Sequence, residues 1–342
     1  MAAAVYTIMK YTGACIRRAL LIALLCVSCA TLRDTPLADL PKDAGYSIVI
    51  QRVDDPRLPS LSESEFQDML ERLRNYIEEY LGYRVSFFVK GNIAMRDFQA
   101  RMRFIDTLPE MGDLKKNLLD TANPADHARL RNYIGGLINA TDERILSAYV
   151  PNYRSHRNKA QLRDSLYTQY IEKLLKIQHM PTGDVTPLDS PEYAETLTYP
   201  FWDASLKYLT GAHFVFTNTI MAVMEVDIPI YVALRYGITT GMVEGNVSNE
   251  YRAAGVLFTL PFLSHDPFFE EERGEAIPPE KLTDVIALYA THEFGHFLNH
   301  YRDYYDHSNC IMVPANDLNY FRWYRERKES KCPRVHETLK NF

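Results

Sequence analysis

A short apolar run, Tyr46-Ser47-Ile48-Val49-Ile50-Gln51, opens the patterned part of the chain and predicts a strand. The rhythm then lengthens. Phe66, Met69, Leu70, Leu73, Tyr76, Ile77 and Leu81 recur at helical spacing, behind Ser62 and Ser64, either of which can cap the helix. Strand character returns over residues 84–90 with Val85, Phe87, Phe88 and Val89. Strand, helix and strand in this order suit a right-handed crossover to a parallel neighbour, which makes the fold class α/β.

Between about 95 and 208 the strand-like runs disappear. Leu, Arg, Lys, Asp and Tyr fall at helical spacing, most clearly over 161–177, where Leu162, Leu166, Tyr170, Leu174 and Leu175 line one face. The region reads as a helical insertion within a larger domain. Strands are predicted again at 213–217, 230–234 and 255–260, with Gly237, Gly241 and Gly245 punctuating the middle section as turns or bulges. Pro278 and Pro279 then open a helix whose apolar stripe, Leu282, Val285, Ile286 and Tyr289, runs on into His292 and His296. A last helix is predicted over 316–331, with Leu318, Phe321, Trp323 and Tyr324 among many charges.

The chemistry concentrates in His292-Glu293-Phe294-Gly295-His296. Two histidines four apart lie one turn separated on the same side of a helix, so both imidazoles can reach one ion. Zinc lowers the pKa of a bound water to about 7, and Glu293, beside the first histidine, can take the proton. A catalytic zinc usually has three protein ligands and keeps one position for water. His300 continues the spacing, but two turns of rise put it about 12 Å along the axis from His292. The third ligand therefore belongs after the chain turns back. Asn299 is a suitable place for that turn, because asparagine tolerates the left-handed conformation. Asp303, Asp306 and His307 follow it, and then Cys310-Ile311-Met312.

This arrangement resembles the metzincin-type zinc metallopeptidases, in particular archaemetzincin-like proteins. His292, Glu293 and His296 match their two-histidine helix, and Cys310-Ile311-Met312 matches the segment that forms a methionine turn, here at Met312. The stretches 235–241 and Phe216-Thr217-Asn218 also look like parts of such proteins, the first like their edge-strand region. The chain departs from the pattern in two places: Asn299 replaces the usual glycine, and Arg302 stands where a third histidine would fall. Some metzincin-type enzymes use aspartate there, which makes Asp303 the expected third ligand and His307 the alternative. Glu326 and Glu329, downstream, would serve only under the pattern of the other large zincin class. The resemblance implies a zincin-like mixed sheet with an active-site helix, spanning 46–342 and carrying the insertion at about 95–208.

The N-terminus changes the picture of where this chemistry happens. Lys10, Arg17 and Arg18 precede a short apolar run and a small-residue end, the pattern of a secretory signal over 1–29 followed by a linker over 30–45. Leu25-Cys26-Val27-Ser28-Cys29 resembles a loose bacterial lipobox, which makes Cys29 the expected lipidated residue and the membrane an expected partner. Of five cysteines, only Cys310 and Cys332 lie beyond this leader, and in an oxidising compartment such a pair is readily a disulfide. A net charge of −6, with no basic stripe, gives no electrostatic reason to expect nucleic acid.

Taken together, the residues and the resemblance lead to an exported, lipid-anchored zinc metallopeptidase acting on peptides or proteins. His292, His296 and Asp303 hold Zn2+, and Glu293 is the general base. The alternative is a catalytically inactive zincin-fold lipoprotein that serves as a binding or structural module.

Overall fold

In the computed structural model the described residues are 45–109, 111–112, 116, 118–150, 152–178, 199–209, 211–222, 238–243, 255–299, 301, 303 and 310–328. The leader with Cys29, the linker up to residue 44, the strand expected at 230–234, His300, His307, Glu329 and Cys332 lie outside them.

The first unit forms from the pattern already seen in the sequence. Strand β1, Gly45–Asp54, is followed by helix α1, Glu63–Tyr76, and strand β2, Arg84–Ala94, which pairs with β1 in parallel. Ser62 caps α1 reciprocally with Glu65: its side chain accepts the Glu65 N–H, and the Glu65 carboxylate accepts the Ser62 N–H at 2.8 Å. Phe66, Met69, Leu70 and Leu73 are the buried residues of α1, and a π-helical turn, Ile77–Leu81, extends it with Ile77 and Leu81 also buried.

From Met95 to Tyr208 the described α-helices are α2, Met95–Met102; α3, Pro124–Ala140; α4, Glu143–Tyr149; α5, Lys159–Gln178; and α6, Tyr199–Tyr208. Helices α3 and α5 pack on each other, burying Leu130, Ile134 and Ile138 of one and Leu162, Leu166, Tyr170 and Leu174 of the other. Leu175, expected on that buried face, is instead 38% exposed. It follows Leu174 by one position, about 100° around the helix, at the edge of the stripe rather than within it.

The sheet is completed by β3, Phe214–Thr217, and by two strands further on. These are β6, Gly241–Val243, and β7, Gly255–Phe258; a separate two-stranded pair joins β4, Met221–Ala222, to β5, Ile238–Thr239. The order across the main sheet is β2-β1-β3-β7-β6, with every pair parallel except β6–β7, which is antiparallel. The expected strand at 255–260 ends early, because Leu260 already opens a short helix, α7, Leu260–Leu263. Pro261 explains the difference: it cannot donate a ladder hydrogen bond, and its fixed φ suits a helix's first turn. Helix α8, Pro267–Arg273, follows. Lys173 of α5 reaches Glu272 of α8 at 2.7 Å, fastening the helical region to this part of the chain.

Among the described residues, α1 and one later helix cover one face of the sheet, and α2 and α6 the other. Helix α9, Leu282–Asn299, packs against α1 and against β6 and β7. Phe294 of α9 stacks on Phe214 of β3 at 4.7 Å, and Phe66 of α1 meets Phe216 edge-on at 5.6 Å. On the opposite face Trp202 of α6 stacks on Phe98 of α2 and touches Phe258 of β7 edge-on. The period-2 alternation of β3 and β7 sends neighbouring residues to opposite faces, which is why both are buried throughout. Each such aromatic contributes about 1.5–3 kcal/mol by leaving water. Helix α10, Tyr320–Arg327, packs on α9. Among the described residues no helix is long and apolar enough to cross a membrane.

Candidate metal centre

Helix α9 is apolar nearly all round. Only Leu282, Thr283 and His296 of its eighteen residues escape burial, so every polar group it carries needs a partner. Thr291 donates to the Ala287 carbonyl one turn back. Asp284 accepts from the Tyr76 and Tyr324 hydroxyls, from Lys328 Nζ at 2.7 Å and from Arg72 Nη1 at 3.3 Å. Burial alone would raise the Asp284 carboxyl, but the bonds from Lys328, Tyr324 and Tyr76 outweigh it and bring its pKa down to about 2. Asp284 thereby binds α1 and α10 to the helix that carries the histidines.

The histidines are oriented from behind. His292 Nδ1–H donates to the Ile311 carbonyl at 2.8 Å, and His296 Nδ1–H donates to the Tyr301 carbonyl. A carbonyl can only accept, so both ring protons are committed and each neutral ring presents its Nε2 lone pair forward. Beyond the end of α9 the chain reverses. The Tyr301 N–H returns to the Gly295 carbonyl, and Asp303 arrives opposite the two rings. His292 Nε2 and His296 Nε2 are 3.2 Å apart, and Asp303 Oδ1 lies 3.2 Å from the first and 3.5 Å from the second.

Three acceptor atoms thus converge on one point. Among the described residues Asp303 Oδ1 is buried with no hydrogen-bond donor, and this is the one group of His, Cys, Asp and Glu that could hold a metal ion. Converging lone pairs repel unless a cation, or an added proton, sits between them. Without metal the proton takes that place. Burial pushes His296 down, yet the Asp303 carboxylate, with Glu293 behind it, raises its pKa to about 9 and is itself held well below the usual carboxylate range. The donor set also fits an ion. Tetrahedral zinc with bonds of about 2.0–2.1 Å places its ligand atoms roughly 3.4 Å apart, close to the three separations here. His296, whose side chain is 22% exposed against 3% for His292, marks the side open to approach.

Met312 and the aromatic residues form the floor. The Met312 sulfur packs directly against Gly295, where a Cβ would stand 2.3 Å from it. Tyr289, one turn before His292, stacks on the His292 ring at 5.6 Å. Trp323 of α10 meets Tyr289 edge-on and donates its Nε1–H to the Val313 carbonyl at 2.6 Å, pinning the segment that follows the methionine. Cys310, at the head of that segment, is disulfide-bonded. No other cysteine falls among the described residues, so its partner lies outside them, and the expected pairing with Cys332 stays an expectation.

Glu293 is buried, 5% exposed, and faces the sheet edge. Its carboxyl carbon and Oε1 lie where a Cβ on Gly241 of β6 would come within 2.1 Å. Glu326, weighed from the sequence as a downstream ligand, is occupied with Arg322 at 2.9 Å and Arg327 at 2.8 Å. Reading the sequence alone placed Tyr289 and Trp323 on their helices without a role at this site, and missed Asp284 and the carbonyls of Ile311 and Tyr301. Gly295 carried a usable signal: a glycine inside a helix costs about 1 kcal/mol relative to alanine and so points to close packing. No protein-family model matches the chain, and neither does any curated protein or solved structure.

Proposed function

We propose that this protein is an exported zinc metallopeptidase with a zincin-like, metzincin-type fold, anchored at a membrane through a lipidated Cys29. One observation carries the reading: His292, His296 and Asp303 present three converging acceptor atoms beside a buried carboxylate, Glu293, at the edge of a sheet. His292, His296 and Asp303 would hold the zinc. A zinc ion there supplies Lewis acidity and makes a neighbouring water acidic at neutral pH. Glu293 would take a proton from a water at that point and return it to a leaving amine. The carbonyls of Ile311 and Tyr301 keep both rings in the ligating tautomer, and Met312, Tyr289 and Trp323 exclude water from beneath them. The antiparallel strand β6 lies beside Glu293, a position from which an extended peptide could be met along the backbone.

The test is metal content measured together with hydrolysis of labelled casein. The peptidase reading expects one zinc per chain, and Glu293→Gln that keeps the zinc and abolishes hydrolysis. Tight zinc without hydrolysis in the native protein would favour the inactive binding module instead. Absence of zinc binding would overturn the peptidase reading.

A further inference from the structure

We propose that Gly241 is a positioning residue for Glu293: the bare backbone of β6 bears on the carboxylate and fixes its distance from the point where His292, His296 and Asp303 converge. The inference rests on the reading of Glu293 as the general base. A Cβ built on Gly241 falls 2.1 Å from both Cδ and Oε1 of Glu293 and 2.6 Å from its Cγ. Real Cβ atoms keep well over 3 Å from such neighbours, so glycine is the residue that permits the present placement.

The strand cannot easily yield. Its approach to α9 is set by a second tie one residue earlier, where the buried Thr240 donates its hydroxyl to Tyr289 OH at 3.0 Å. The Thr240 carbonyl also accepts the Phe258 N–H at 2.9 Å, so the same residue is locked to β7. Tyr289 in turn stacks on His292. The edge strand and His292 therefore share one fixed frame.

The carboxylate is the movable member. It ends a flexible side chain, whereas Gly241 is backbone paired through β6 to β7. A methyl group at 241 is accommodated by driving the Glu293 carboxylate back by more than an ångström, leaving the metal ligands in place. Misplacement of a catalytic group by about 1 Å commonly costs 10²-fold in rate.

The experiment is a double-mutant cycle on the full chain with Gly241→Ala, Glu293→Ala and both together. The readouts are zinc content, casein hydrolysis and the thermal midpoint of the metal-free protein. Gly241→Ala is expected to keep one zinc and lower kcat about 10²-fold with KM little changed. In the Glu293→Ala background, where Cγ and the carboxylate that the added methyl meets are both gone, at least half of the Gly241→Ala loss in thermal midpoint should vanish. Equal losses of thermal midpoint in both backgrounds, or full activity of Gly241→Ala, would overturn the proposal. If Gly241→Ala alone is insoluble, recovery of soluble protein on adding Glu293→Ala reports the same coupling, and continued insolubility overturns it. The thermal cycle needs no turnover, so an inactive native protein would defeat the peptidase reading while this contact is still decided.

Discussion

The sulfur of Met312 sits against the backbone of Gly295, one residue before the second histidine, with no space for a Cβ between them. The methionine segment and the histidine helix are thus in direct contact, and Ile311, beside Met312, supplies the carbonyl that orients His292. Gly295→Ala should force Met312 aside at an overpacking cost of about 1–3 kcal/mol, against a helix-propensity gain of about 1. A net loss of thermal stability and weaker zinc binding are expected, read by melting with and without zinc. Unchanged zinc affinity would mean that the methionine contact does not influence the ligands.

Replacing the converging side chains separates the ligands from their neighbours. His292→Ala, His296→Ala and Asp303→Ala should each remove zinc from folded protein, because the remaining pair holds an ion far more weakly. His307→Ala should lose at most the ten- to hundredfold in affinity typical of outer partners. Metal content of dialysed protein decides this. Retention of zinc by Asp303→Ala together with its loss in His307→Ala would exchange the two roles.

The Cys310 disulfide anchors one end of the segment that carries the Ile311 carbonyl and Met312. Mild reduction by a thiol should therefore loosen the support of His292 and lower zinc affinity by about ten- to a hundredfold without unfolding the sheet. Mass mapping of the oxidised protein should place Cys332 in the bridge. Free-thiol labelling of both cysteines before reduction would exclude it.

Asp284 gives a pH dependence far from the metal point. Its carboxyl is held at about 2, below its ordinary value of 3.8, so it binds fewer protons in the folded state than in the unfolded one. The stability it contributes, on the order of 2 kcal/mol, is complete above about pH 4 and is lost as the pH falls toward 2. Asp284→Asn should lower stability at neutral pH by a comparable amount and flatten the acid limb of a denaturation series in metal-free protein. An unaltered acid limb would show that other carboxylates govern it.

Local pattern alone makes several elements legible. The strand at 46–51, the helix behind Ser62, the parallel return at 84–90 and the long helix behind Pro279 all follow from periodicity and caps, which are properties of neighbouring residues. The short strands β4, β5 and β6 are not legible in this way. Two or three residues hold no period, and only pairing with a distant segment makes them strands. The strand expected to run through Leu260 fails for a related reason: an apolar run alone cannot tell a strand's end from a buried helix, although Pro261 is a signal against it.

The site divides in the same way. His292, Glu293 and His296 belong to one helix, so their spacing by itself determines which side chains share a face. Asp303 can be named from sequence only as one of several residues after a turn, since its approach to the histidines depends on how the chain reverses beyond Asn299. The carbonyls of Ile311 and Tyr301, the sulfur beneath Gly295, the Trp323 buttress and the contact of Gly241 with Glu293 are decided by tertiary structure alone. A helix fixes its own angular positions through its hydrogen bonds, whereas the distances between elements are set by packing, in which residues remote in sequence fill one another's space.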